Sequence, residues 1–188
     1  MAYEKHFTPP PGVQVGAYTA AHDRIYRVFL LLMPVGILLV AVGQLGGAPV
    51  WRLGGVALWD LGLLGAAYML MVWDQRVKQV ILGAAVVGVL LQLAALAGDA
   101  AVLVPLGAGV AAVGASGIAK KEDFCFNIWQ GRMLPWGYAV TVLVFLFGLA
   151  QRSPLAGDAV VLLLLYLAAS FTWRKLRLPL VVVDGNCS

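Results

Sequence analysis

Apolar runs of about 17 to 23 residues, parted by short polar breaks, recur along most of this chain. Each is about long enough to cross a hydrocarbon core of roughly 30 Å at ~1.5 Å rise per residue. Within lipid no water satisfies backbone N–H and C=O groups, so such a run must close its hydrogen bonds internally, as a helix. Composition agrees: of 188 residues 62% are hydrophobic and only 12% charged, with a mean hydropathy of +0.90. Soluble domains carry about a quarter charged residues. The sequence therefore predicts an all-α, polytopic membrane bundle of six transmembrane helices.

The polar breaks set the predicted boundaries. Residues 1–22 are expected as a polar tail in which Thr8-Pro-Pro-Pro-Gly12 favours an extended polyproline path. That segment has no apolar core behind a basic start, so no cleavable secretory signal is expected and the first helix is expected to direct insertion. A membrane domain over 23–177 follows, with spans at about 28–44, 51–73, 80–97, 100–118, 134–150 and 155–173, then a C-terminal tail at 178–188. Gly46-Gly47-Ala48-Pro49 forms a turn, and Trp51 and Trp73 anchor the ends of the second span. Gly98-Asp99 is expected to stop one helix and cap the next, making the third and fourth spans antiparallel neighbours. The fourth span is rich in small residues, among them Gly107, Gly109, Gly114 and Gly117, which let helices approach closely where lipid is as apolar as the protein.

Sidedness follows from the cationic residues, which are retained near span ends on the cytoplasmic face. Of the 13 Lys and Arg residues, Arg52 and Arg152 alone fall on one side of the predicted spans and the other eleven on the opposite side. Both termini are thus expected in the cytoplasm. The net charge of +4 sits at the ends of apolar runs, where it orients helices, and no nucleic-acid partner is expected.

The residues able to carry chemistry are few. Lys120 to Arg132 gathers charge, aromatic rings and a thiol. Phe124, Ile128 and Trp129 stand at helical spacing there, which suggests a short helix in the headgroup zone. Lys120, Lys121, Glu122, Phe124, Cys125, Phe126, Trp129 and Arg132 form the candidate partner surface, with interfacial anchoring as the competing role. Cys125, on the reducing side, is expected as a free thiol. Asp60 is the acid placed well inside a span. Such a carboxyl costs about 2.5 to 3.5 kcal/mol at mid-bilayer and needs a partner, for which Gln44 and Gln92 qualify. His6, His22, Cys125 and Cys187 are all the histidines and cysteines present, at no spacing that prepares a metal site, and no metal is expected.

Glu122, Phe124, Cys125 and Phe126 after a glycine-rich span, with Asp23-Arg24 ahead of the first span, resemble a family of uncharacterised integral membrane proteins known chiefly from cyanobacteria, whose loop reads K-E-x-F-C-F. The resemblance implies a multi-helix protein of a photosynthetic membrane and carries no activity, cofactor or catalytic residue with it. Were a chlorophyll or carotenoid bound, its ligand would have to be His22 or a water on Asn127 or Gln92, because no span holds a histidine.

Catalysis is disfavoured: H-E-x-x-H, G-x-S-x-G and paired intramembrane aspartates are all missing. The expected function is a non-catalytic accessory subunit or assembly factor in the inner or thylakoid membrane, partnered by lipid and by other membrane proteins or further copies of itself. The alternative is a small transporter or channel of two inverted three-helix halves, with Pro34 and Pro105 at matching depths and Asp60 on the pathway.

Overall fold

The structure is a computed structural model and describes residues 4–7, 17–97 and 102–183. Seven helices, α1 (Ala20–Leu45), α2 (Pro49–Met69), α3 (Gln75–Ala97), α4 (Leu103–Phe126), α5 (Gln130–Leu146), α6 (Leu149–Arg152) and α7 (Pro154–Leu176), lie between two short strands, β1 (Glu4–Phe7) and β2 (Leu180–Val183). Among the described residues the protein is all-helical apart from that strand pair. Four helices, α1, α3, α4 and α7, are long and apolar enough to cross a membrane. Of the other two long helices, α5 has only 17 residues, and α2 carries Arg52 and Asp60 within its 21.

Local chemistry sets the helix ends. Thr19 caps α1: its hydroxyl accepts from the His22 backbone N–H, while His22 Nδ1 accepts from the Thr19 N–H at 3.2 Å. Gly47, at φ +63°, turns the chain toward α2, where Pro49 occupies the first turn and gives up no needed donor. The Gly98-Asp99 stop and cap lies outside the described residues. The helix N-termini differ from the expected spans mainly in reach. Helix α1 begins at Ala20, so Asp23, Arg24, Tyr26 and Arg27 belong to its first two turns instead of a break before it.

The segment from Lys120 departs most from expectation. It is no separate interfacial helix, because α4 continues through Lys120–Phe126 and stops at Asn127 in the left-handed conformation, φ 50° and ψ 50°. Asn tolerates that geometry better than other non-glycine residues. Its N–H donates to the Asp123 carbonyl at 2.7 Å, and the Arg132 guanidinium spans the turn to Asp123 and Asn127. Phe124 and Ile128, expected on one face, part company: the first is 92% exposed and the second buried.

Helices α1, α2, α4, α5 and α7 pack successively into a closed ring, with α3 outside against α4 and α2. Glycines set the two closest pairings. A Cβ on Gly36 of α1 would lie 2.6 Å from the Gly55 carbonyl and the Trp59 nitrogen of α2. In α4, a Cβ on Gly107 would sit 2.7 Å from the Gly88 carbonyl, and one on Gly114 2.9 Å from the Ile81 carbonyl, both in α3. Gly117 meets the Ile81 side chain instead, and a Cβ on Gly109 would lie a tight 3.3 Å from the Val142 side chain of α5. Pro34 lies well inside α1, whereas Pro105 lies in the first turn of α4, so the two prolines do not share a depth.

The terminal segments, expected as tails, are joined in part. β1 runs parallel to β2 with Glu4 opposite Leu180 and Phe7 opposite Val183, and Tyr18 bridges to Val183 through two backbone hydrogen bonds. Large apolar side chains such as Val50, Trp136 and Leu155 face outward, as lipid contact requires and water would penalise.

Candidate functional sites

Two polar constellations stand at opposite ends of the ring. The first is built around Glu122, which is wholly buried although it belongs to the segment expected as a surface loop. Its Oε1 accepts from the Tyr26 hydroxyl at 3.0 Å and from Lys121 Nζ at 2.8 Å, and its Oε2 lies 2.7 Å from Lys175 Nζ. Lys175, 1% exposed, also stands 4.0 Å from the centre of the Phe126 ring, whose negative face favours a cation. Here α1, α4 and α7 meet through a carboxylate that is ion-paired twice and hydrogen-bonded.

Beside it Arg27 grips the end of α7. Its Nε donates to Asp23 Oδ2 at 2.8 Å, one turn back, and its two terminal nitrogens donate to the carbonyls of Leu176, Leu178 and Pro179. The last carbonyls of a helix have no partner within it, and a guanidinium with five N–H groups can satisfy several at once. Asp23 Oδ2 in turn accepts from the Val181 N–H, which fixes β2 to α1. Burial, and after it the charge of Asp23, pushes the Tyr18 phenol well above its usual range. Tyr18 therefore stays neutral, its ring stacked on His22 at 5.7 Å.

Of the candidate partner surface, Glu122 is thus internal and Lys121 mostly so, with Phe126 partly buried against the two lysines. Lys120, Phe124, Cys125, Trp129 and Arg132 remain exposed. Cys125 is a free thiol. The Cys187 side chain and that of His6 lie outside the described residues, and among those described no cluster of metal-binding side chains occurs.

The second constellation lies toward the other end, inside the ring. A chamber of about 600 Å³ is walled by α1, α2, α4, α5 and α7, mostly by apolar groups such as Ile37, Val56, Ala108, Val142, Phe145 and Leu164. Gln44, Arg52 and Gln151 also line it, and Arg52 and Gln151 are exposed. Trp59, Tyr138 and Gln92 line the chamber too, about two helical turns deeper than Arg52 along α2 in the case of Trp59. Asp60 accepts a hydrogen bond from Gln92 Nε2 at 3.2 Å, the intramembrane pairing expected for one of its two candidate partners. Toward the Glu122 end the interior is tight: a gap of only about 10 Å³ remains among Leu30, Ile118, Tyr138 and Phe171.

Sequence reasoning passed over Tyr26, Arg27 and Lys175 as site residues, and over Trp59 and Tyr138. The spacing of Asp23 and Arg27, four apart, was the one local signal for the first group. The Trp59 and Tyr138 rings, 6.0 Å apart between centroids, meet only through the tertiary fold. No family model, no curated protein and no solved structure matches this chain.

Proposed function

We propose that this chain is a non-catalytic integral membrane component, crossing the bilayer six times with both termini cytoplasmic and serving as an accessory subunit or assembly factor of a larger membrane complex. The observation that carries this reading is the commitment of Glu122, Lys175, Asp23 and Arg27 to ties that hold α1, α4, α7 and β2 together. A catalytic acid or base must face a space where a substrate can sit, and these groups face one another. The exposed set at the same end, Lys120, Phe124, Cys125 and Trp129, suits contact with a neighbouring membrane protein. The K-E-x-F-C-F likeness extends the proposal to a photosynthetic membrane.

Parallel pairing of β1 with β2 supports an even number of crossings, because it brings both terminal segments to one end of the bundle. The cation asymmetry then assigns that end to the cytoplasm. A cysteine at exposed Ser153, placed in a background with Cys125→Ser and Cys187→Ser, is expected to react with a membrane-impermeant maleimide from outside intact cells; labelling only after lysis would reverse the assignment. On a native gel the gently solubilised protein is expected to migrate with a larger complex. Migration as a free monomer or dimer would remove the accessory role.

A transporter reading is favoured by one observation, the Asp60–Gln92 pair beside a chamber that stops short of the tightly packed interior at the Glu122 end. Such a site is what one access state of an alternating mechanism requires.

A further inference from the structure

The chamber has an apolar floor and a cationic entrance. Ile37, Trp59 and Leu164 line its deeper part, and Gln44, Arg52 and Gln151 line the end at which Arg52 and Gln151 are exposed. Among the described residues Arg52 is the one cation in the lining, no acid joins it there, and it forms no ion pair. Its side chain leaves α2 against α1: a Cβ on Gly43 would lie 2.8 Å from Arg52 Cγ, so the glycine leaves room for the arginine stem at that seam.

Two helix starts add the same sign of charge. Pro49 in the first turn of α2, and Val104 and Pro105 in the first turn of α4, line the chamber, and neither helix has a side-chain cap. An uncapped N-terminus presents free N–H groups and about half a positive charge.

We propose that the chamber binds an amphiphile with an anionic head and an alkyl tail, its head beside Arg52 at the entrance and its tail directed inward toward Trp59 and Leu164. The guanidinium supplies several donors to the head oxygens, and the Gln44 and Gln151 amides stand at the same end to add more. From Arg52 to Trp59 along α2 is about 10 Å by helix rise, a depth that only the tail has to fill. The proposal goes beyond the accessory role and does not depend on it.

The chamber, at about 600 Å³, falls inside the ~300 to 1,000 Å³ range of small-molecule sites. Three rival occupants fit less well. A small hydrophilic anion would match Arg52 and leave the apolar walls unfilled. A cationic amphiphile would bring its head against a like charge. A plain hydrocarbon would fill the walls and gain nothing from the entrance.

The full chain in phosphatidylcholine nanodiscs can be titrated with radiolabelled dodecyl phosphate and with its neutral counterpart dodecanol, uptake by empty nanodiscs being subtracted. Saturable binding of both is expected, the phosphate tighter by about tenfold, as one charge-assisted hydrogen bond implies. Arg52→Gln should cut that preference to about twofold or less with dodecanol affinity kept, since an amide gives a neutral hydrogen bond at most. Ala108→Phe, which fills the chamber, should abolish saturable binding of both. Equal affinities for the two probes, or a preference untouched by Arg52→Gln, would overturn the proposal. Should Ala108→Phe not fold, the wild-type protein decides where the tail lies: dodecyl phosphate with a diazirine at its tail end should label α2 near Trp59 or α7 near Leu164. Labelling confined to outward-facing residues such as Leu90 and Leu155 would refute the assignment. Native mass spectra of protein released from mixed phosphatidylcholine and phosphatidylglycerol nanodiscs then name the source of the amphiphile. Phosphatidylglycerol retained by wild type and lost from Arg52→Gln makes it a bilayer lipid, and no retained lipid makes it a free single-chain amphiphile.

Discussion

At one end of the ring Glu122 is enclosed by Lys121, Lys175 and Tyr26; toward the other, Asp60 meets a single amide, Gln92, beside a chamber of about 600 Å³. Both carboxyls are buried, and both lie on helices of the same ring. The first is surrounded by opposite charge and joins three helices, so removing any member strands the others. The second is held by one neutral partner and joins α2 to α3 alone. Charge in the interior acts here as a tie only where it is matched, and the chamber inside the ring lies toward the end without matching charge.

The sharpest way to break this contrast is Glu122→Ala. It leaves Lys175 buried without its carboxylate, and removing one partner of a buried pair typically costs about 3 to 5 kcal/mol. Unfolding in a denaturing-detergent titration should show a loss of that size. Replacing the carboxylate together with both its lysines, Glu122→Leu with Lys121→Met and Lys175→Met, should recover most of it, since apolar replacement of a whole buried ion network is often near neutral. If the combined variant were as unstable as the single one, the network would be something more than an ion-paired tie. The smallest expected effect is that of Asp60→Asn, which keeps an oxygen for Gln92 Nε2. Interhelical hydrogen bonds in membranes average about 0.6 kcal/mol, so the midpoint should barely move. The same variant separates the two functional readings: unchanged behaviour in proteoliposome flux assays fits an accessory component, and loss of a flux seen with wild type would favour transport through the chamber.

Much of the bundle was legible from the apolar runs, because in lipid a run of that length has one way to satisfy its backbone. The Asp60–Gln92 bond was within reach for a related reason: few polar side chains lie in the predicted spans to choose from. The Glu122 network was not legible. Charged residues at the end of an apolar run look like a solvated break, and only the packing of α1 and α7 over the last turns of α4 turns Glu122 and Lys175 inward. Helix α4 also outran its expected end because Lys120 to Phe126 contains neither glycine nor proline to stop it, and the actual stop is an asparagine in a conformation that composition does not announce. Trp59 and Tyr138 are distant in sequence, so their shared position beside the chamber needed the fold.

The strand pair carries a consequence for how the molecule is made. While the ribosome is still delivering the middle helices, β1 has no partner, and the three carbonyls that Arg27 will hold do not yet exist; Asp23 and Arg27 have only each other. The grip on α7 and the β1–β2 ladder can close only after every long helix has been made. Closure of the two strands is therefore a latch set last, and a chain ending before Leu180 would keep the helix ring and the Arg27 grip but lack β2 and the Val181 N–H that Asp23 accepts.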